Sequence, residues 1–240
     1  MKVAVIPARG GSKRIPKKNI RNFLGKPIIQ YSIEVAKKSE LFDIIIVSTD
    51  DDEIAKIARN CGAETPFIRP KYLSGDHVST HAVMKHAVEW THKNYDINTN
   101  CFFCCIYPTA PFLLKKDLLE GYKLISSGDW KMTFSATSYS YPISRSFYMV
   151  DGGGVEMFFP EQYESRSQDL PVGYHDAGMF YWAPSEVWLS SDIAFSRRST
   201  IIKLPEWRVQ DIDTLDDWEH AEHKYMLLKH SKYNESPSTH

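Results

Sequence analysis

Three apolar runs, KVAVIP at 2–7, FDIIIVSTD at 42–50 and CFFCCIYP at 101–108, are each followed by a segment whose apolar residues recur at helical spacing. Such runs, bounded by turn residues, read as buried strands. After the first comes IIQYSIEVAKK, with Ile29, Ile33, Val35 and Ala36 in helical phase; after the second comes DDEIAKIARNCG, with acids in its first turn and a glycine at its end. ETPFIRP at 64–70 reads as a short further strand, followed by a loop at 69–78 and a helix at 79–92. The CFFCCIYP strand leads to a helix at 115–126. Repeated strand–helix units require right-handed crossovers, so the expected fold is α/β: a doubly wound, mainly parallel, Rossmann-like sheet.

Beyond Trp130 the texture changes. MTFSATSY, ISRSFYMV and VEMFF are strand-like and are separated by Pro142 and the turn DGGG at 151–154, which predicts an antiparallel excursion, with a flap at 139–173. The strand–helix style resumes with AGMFYWA, STIIKLP and RVQDID, and Thr214 caps a closing helix over 214–230. The expectation is a single domain over 1–240 with a frayed polar tail at 230–240.

A formal charge of −1 argues against a nucleic-acid or polybasic membrane-binding protein. The N-terminus is too short in apolar residues for a secretion signal and no stretch approaches membrane-spanning length, so a cytoplasmic location is expected. Cys101, Cys104 and Cys105 lie in one apolar run and Cys61 elsewhere, without the second ligand pair that a zinc site needs. They read as small core hydrophobes.

The positive charge is local. VIPARGGSKRIPKKN at 5–19 places Arg9, Lys13, Arg14, Lys17 and Lys18 around paired glycines directly after the first strand. In open parallel sheets ligands bind beyond the carboxyl ends of strands, and a glycine loop after the first strand is a favoured phosphate site. Gly10 and Gly11 would let backbone N–H groups approach an anion, while Arg9, Lys13 and Arg14 neutralise phosphates. The spacing is neither G-x-x-x-x-G-K-[ST] nor G-x-G-x-x-G, which disfavours both of those nucleotide families.

QDIDTLDDW supplies a second chemical signal: Asp211 and Asp213 stand two residues apart, on one face if the segment is a strand. Paired carboxylates opposite a phosphate loop suit Mg²⁺, whereas acids at a helix start can instead serve the following helix. His77, His81 and His86 lack a completing carboxylate and read as scattered histidines.

ARGGSKRIPKKN resembles the A-R-x-G-S-K-x-x-x-x-K-N signature of the CMP-sialic acid synthetase family, cytidylyltransferases that activate 2-keto sugar acids. The likeness continues through LGKPIIQYSIEVAKK and IRPKYLSGD and returns at RSQDL, YHDAGMFYW and VQDIDTLDDW. It implies that Arg9, Gly10, Gly11, Ser12 and Lys13 hold the phosphates of the co-substrate CTP, that Lys18 and Asn19 reach the nucleotide, and that Arg69 and Asp76 lie over base and ribose. Asp211 and Asp213 then hold Mg²⁺. Arg9 and Lys13 stabilise charge in the transfer, and Asp211 or His175 takes the proton from the attacking hydroxyl. Arg166 would meet the sugar carboxylate, with Gln168, Tyr174, His175 and Tyr107 around the sugar. Where the family usually reads Q-P-T-S-P and N-G-A, this chain has YPTAP at 107–111 and HDAG at 175–178, which implies pseudaminic acid rather than N-acetylneuraminic acid. Legionaminic acid, N-acetylneuraminic acid, Kdo and a non-catalytic nucleotide-binding role are the alternatives. In the family the flap forms a homodimer interface, so a homodimer with small-molecule substrates is implied, with neither nucleic acid nor membrane as partner.

Overall fold

The computed structural model of the chain describes residues 1–95, 101–190 and 195–230. Beyond residue 230 itself, the expected tail lies outside the described residues. The strands, in chain order, are β1 (Lys2–Pro7), β2 (Asn22–Phe23), β3 (Lys26–Pro27), β4 (Ile44–Ser48), β5 (Phe102–Ile106), β6 (Met132–Ser138), β7 (Phe147–Met149), β8 (Val155–Met157), β9 (Tyr174–Pro184) and β10 (Ser199–Lys203). The helices are α1 (Ile28–Ser39), α2 (Asp52–Asn60), α3 (Thr80–Asn94), α4 (Lys115–Ile125), α5 (Ser185–Leu189) and α6 (Leu215–His230).

A central sheet runs β10-β6-β9-β5-β1-β4. β1 pairs in parallel with β4 and β5, and β10 in parallel with β6, as the strand–helix alternation requires. Alternate residues of the buried strands serve opposite faces. Ala4, Ile6, Cys104 and Ile106 pack with α1, α4 and α6 through Ile29, Leu118 and Trp218, whereas Val3, Val5, Phe103 and Cys105 pack with α3 and α5 through Met84 and Trp188. The three cysteines of the apolar run are buried, as expected of core hydrophobes.

Three local expectations are corrected. The AGMFYWA run belongs to β9, which lies antiparallel between β5 and β6 rather than continuing the parallel style. β6 joins the main sheet, so the separate antiparallel excursion reduces to the hairpin β7–β8. ETPFIRP is no strand: it makes only the isolated bridges Ile46↔Glu64 and Thr49↔Ile68. Pro66 between them has no N–H to continue a ladder.

The helix starts follow their sequence signals. Asp51 accepts from the amides of Glu53 at 2.8 Å and Ile54 at 3.0 Å, and Ser79 Oγ accepts from Ala82 N–H at 3.2 Å. At α6, Thr214 Oγ1 accepts from Asp217 N–H at 3.2 Å while Asp217 accepts from Thr214 N–H at 2.8 Å, a reciprocal capping box.

Candidate active site

The basic loop leaves β1 at the carboxyl edge of the sheet and is held by contacts that the glycines and Asn19 make possible. Gly10 N–H donates to Asp50 at 2.9 Å, and a Cβ at Gly10 would lie 2.7 Å from Asp51 Oδ2 and 2.9 Å from Asp51 Cβ. Gly10 thus serves close packing against the carboxylates that follow β4, and its amide is committed to Asp50 rather than offered to an anion. Gly11 has open space around its Cα. Asn19 is buried and donates to Arg9 C=O at 2.9 Å, pinning the far end of the loop.

Carboxylates gather the loop's cations. Asp76 pairs with Arg9 at 2.7 Å and with Lys13 at 2.5 Å, and these two cations hold its carboxyl below the usual range, Lys13 foremost. Asp213 pairs with Arg14 at 3.0 Å and Lys18 at 3.3 Å, and Lys18 Nζ also donates to Ile212 C=O at 2.7 Å. Arg69 is buried; its guanidinium donates to Ser48 Oγ at 3.1 Å and to Ser48 C=O, and burial lowers its pKa to about 10, still a cation at neutral pH.

These groups line a cleft of about 490 Å³, within the range of small-molecule sites. Arg9, Ser12, Lys13, Lys18, Asn19, Arg69, Asp76 and Tyr107 from the sequence-derived set all face it, with Arg14, Thr80 and Asp213. A second cleft of about 480 Å³ holds His175, Asp176, Tyr181, Asp211 and Asp213. The two clefts share Lys18, Tyr107, Thr109 and Asp213, so they meet at one junction.

Asp211 and Asp213 do sit in one cleft, but not on a strand: residues 209–213 lie outside the sheet. Lysines take the backbone acceptors that a neighbouring strand would have used, Lys224 Nζ at Val209 C=O (2.8 Å) and Lys18 at Ile212 C=O. The buried pair of Arg208 Nη2 with Asp117 of α4, at 2.5 Å, anchors the segment just before it. Among the described residues no group of three or more His, Cys, Asp or Glu forms a self-sufficient metal site. A cation held by Asp211 and Asp213 would complete its oxygen shell with phosphate and water, the usual manner for Mg²⁺.

Arg166, Gln168 and Tyr174 line neither cleft. Arg166 and Gln168 lie exposed around the short turn Ser167–Asp169 beyond the hairpin, and Arg166 forms no ion pair with Asp169 among the described residues. Tyr174 begins β9, with Lys203 Nζ 5.0 Å from its ring centre. His175 is steadied by Asp176 C=O at 3.0 Å and by the Tyr139 ring at 4.9 Å. Sequence reasoning missed Thr80, Asp176 and Tyr181. Asp176 stands within the quoted HDAG departure, whereas nothing local in the sequence shows that the Tyr181 hydroxyl meets a carboxylate.

Comparison with known proteins bears on this geometry. A family model described as cytidylyltransferase matches residues 3–139. The chain is 45% identical over 231 residues to a pseudaminic acid cytidylyltransferase of Campylobacter jejuni subsp. jejuni, spanning 96% of this chain and 99% of that protein. It is 30% identical over 220 residues to an N-acylneuraminate cytidylyltransferase of Escherichia coli, spanning 91% of this chain and 51% of that one. The fold is similar to a solved CMP:2-keto-3-deoxy-manno-octonic acid synthetase complexed with CTP, with a TM-score of 0.67 at 18% identity, over 95% of this chain and 99% of that one.

Proposed function

The chain belongs to the cytidylyltransferase family, and on that premise we infer that it condenses CTP with pseudaminic acid to give CMP-pseudaminic acid and pyrophosphate. The observation that carries this reading is the junction of the two clefts: a cation-rich cleft opens, at Lys18 and Asp213, into one that holds the Asp211 and Asp213 carboxylates. A nucleoside triphosphate suits the first and a hydroxyl-rich sugar acid the second, so the α-phosphate and the nucleophile come together between them.

Arg9 and Lys13 exchange Asp76 for phosphate oxygens, since both partners offer charge-assisted acceptors of the same kind. Their charge then opposes the negative charge that develops on the non-bridging and leaving oxygens. Arg69, fixed by Ser48, is a preset planar donor beside the nucleotide. Asp211 and Asp213 would hold Mg²⁺, which would supply neutralisation of the phosphate charge. The anomeric hydroxyl at C2 attacks the α-phosphorus, its proton passes to Asp211, the new P–O bond forms and the bond to pyrophosphate breaks.

The hairpin completes the assembly. Tyr141, Phe147, Met149 and Val155 are 83%, 62%, 74% and 62% exposed, with Phe158 and Tyr163 also exposed in the same stretch of chain, the kind of apolar surface that marks an interface. A second copy of the chain covers it, and Arg166, which lines neither cleft of its own chain, reaches the partner's sugar carboxylate.

Pyrophosphate release with Mg²⁺, from CTP, GTP, UTP or ATP paired with pseudaminic, legionaminic or N-acetylneuraminic acid or Kdo, tests the reaction. The expected result is release with CTP and pseudaminic acid. Release with a different sugar alone overturns the substrate assignment, and silence with every pair overturns the reaction.

A further inference from the structure

Between the pairs Phe134↔Tyr181 and Ala136↔Asp176 the register of β6 and β9 shifts, so that β9 inserts residues 177–180 opposite Ser135 alone. Ser135 Oγ accepts from the amides of Met179 at 3.2 Å and Phe180 at 3.3 Å, and Gly178 takes φ +61° to make the turn. A bulge of this kind bends its strand and re-aims the side chains beyond it. Here it turns Asp176 back onto Tyr181. The Tyr181 hydroxyl donates to Asp176 Oδ2, and Gly178 N–H donates to Oδ1 at 2.8 Å.

The Tyr181 phenol is itself held. Its ring stacks on Phe134 at 5.7 Å, it lies beside the Tyr107 phenol, and the Tyr107 hydroxyl bonds with Thr80 Oγ1 at 2.9 Å. A carboxylate only accepts, so the single Tyr181 hydroxyl proton is spent on Asp176, while Thr80 and Tyr107 can each donate to the other. Burial pushes the Tyr107 phenol up to about 12 and Tyr181 higher still, so both keep their protons at neutral pH. Thr80 faces the nucleotide cleft and Asp176 the second one. Among the described residues no ion pair explains why a carboxylate, rather than a neutral acceptor, is fixed in this cleft wall.

We propose that Asp176, locked by Tyr181 and the Gly178 amide, orients the acid sugar, accepting a hydrogen bond from one of its N–H or O–H groups while repelling its carboxylate. This rests on the acid-sugar reading above. Each Asp176 oxygen retains acceptor capacity after its one intramolecular bond. The Asp176 side of the cleft repels the sugar carboxylate and favours the end rich in hydroxyl or acylamino donors. Tyr181 is a positioning residue that acts through Asp176.

Asp176→Asn and Tyr181→Phe, both close in shape to the native side chains, test this with CTP and pseudaminic acid. Asp176→Asn is expected to raise KM for the sugar by about tenfold or more while KM for CTP and Tm stay put, the scale of losing a hydrogen bond to a charged group. Tyr181→Phe should raise the same parameter by a smaller factor, and the double variant should match Asp176→Asn. A sugar KM unchanged in Asp176→Asn, or KM for sugar and CTP rising together, overturns the assignment while leaving the reaction intact. Wild-type protein that turns over no acid sugar removes the reaction and this assignment with it.

Discussion

Gly10 and Asn19 shape the basic loop, while Arg9, Lys13, Arg14 and Lys18 supply its charge, each already paired with Asp76 or Asp213. Legibility divides along that line. The residue types and spacing announce a cation-rich glycine loop, but the engagement of the Gly10 amide with Asp50 depends on a carboxylate forty positions away in the chain. The cysteines offer a test at this scale. Burial raises all four thiols, Cys104 and Cys105 far above the usual range, so they are poor nucleophiles at neutral pH. Partly exposed Cys61 should therefore be the one thiol modified when native protein is treated with a maleimide at pH 8, and slowly, against all four in denaturant. Mass spectrometry showing rapid modification within Cys101, Cys104 or Cys105 of the native chain would contradict the packing described.

At the scale of elements, the starts of α2, α3 and α6 carry side-chain caps that sequence can announce, because a cap and its target lie within one turn. Strand direction is different. β9 reads as another apolar run whether it lies parallel or antiparallel, and only its partners β5 and β6 decide. For α6, the Thr214 hydroxyl first and then the Thr214 amide hold the Asp217 carboxyl below the ordinary range. A depressed carboxyl stabilises the fold above its unfolded pKa, near 4, and that contribution fades as pH falls through the lower folded value. Amide exchange at Thr214 and Asp217 should accelerate relative to the middle of α6 as pH drops from 5 to 3, after correction for intrinsic rates, and Asp217→Ala should reproduce the loss at pH 7, costing about 1 kcal/mol. Equal protection at both pH values would remove the carboxylate from the cap.

For the whole molecule, the decisive surface is the β7–β8 hairpin, whose aromatic and aliphatic side chains point away from both cores. Phe147→Asp with Met149→Asp places charge where the partner copy is proposed to sit, and the cost of burying unpaired charge should drive the protein to monomer in analytical ultracentrifugation. Turnover should fall with it, because Arg166 then no longer reaches a second chain. A wild-type protein that sediments as a monomer at micromolar concentration and is fully active would refute both the dimer and the role of Arg166 across it.

The sequence by itself determined the alternation of strands and helices, the Thr214 cap, the buried cysteine run and the cation-rich loop, since each rests on periodicity or on contacts within a few residues. The paired carboxylates were legible too, because an extended chain aligns residues two apart whether or not a sheet receives it. Tertiary structure alone decided the antiparallel place of β9, the failure of residues 64–70 to form a strand, the junction of the two clefts at Lys18 and Asp213, and the locking of Asp176 by Tyr181. These depend on which distant segments compete for the same hydrogen bonds and the same space, and that competition is settled only when the sheet closes.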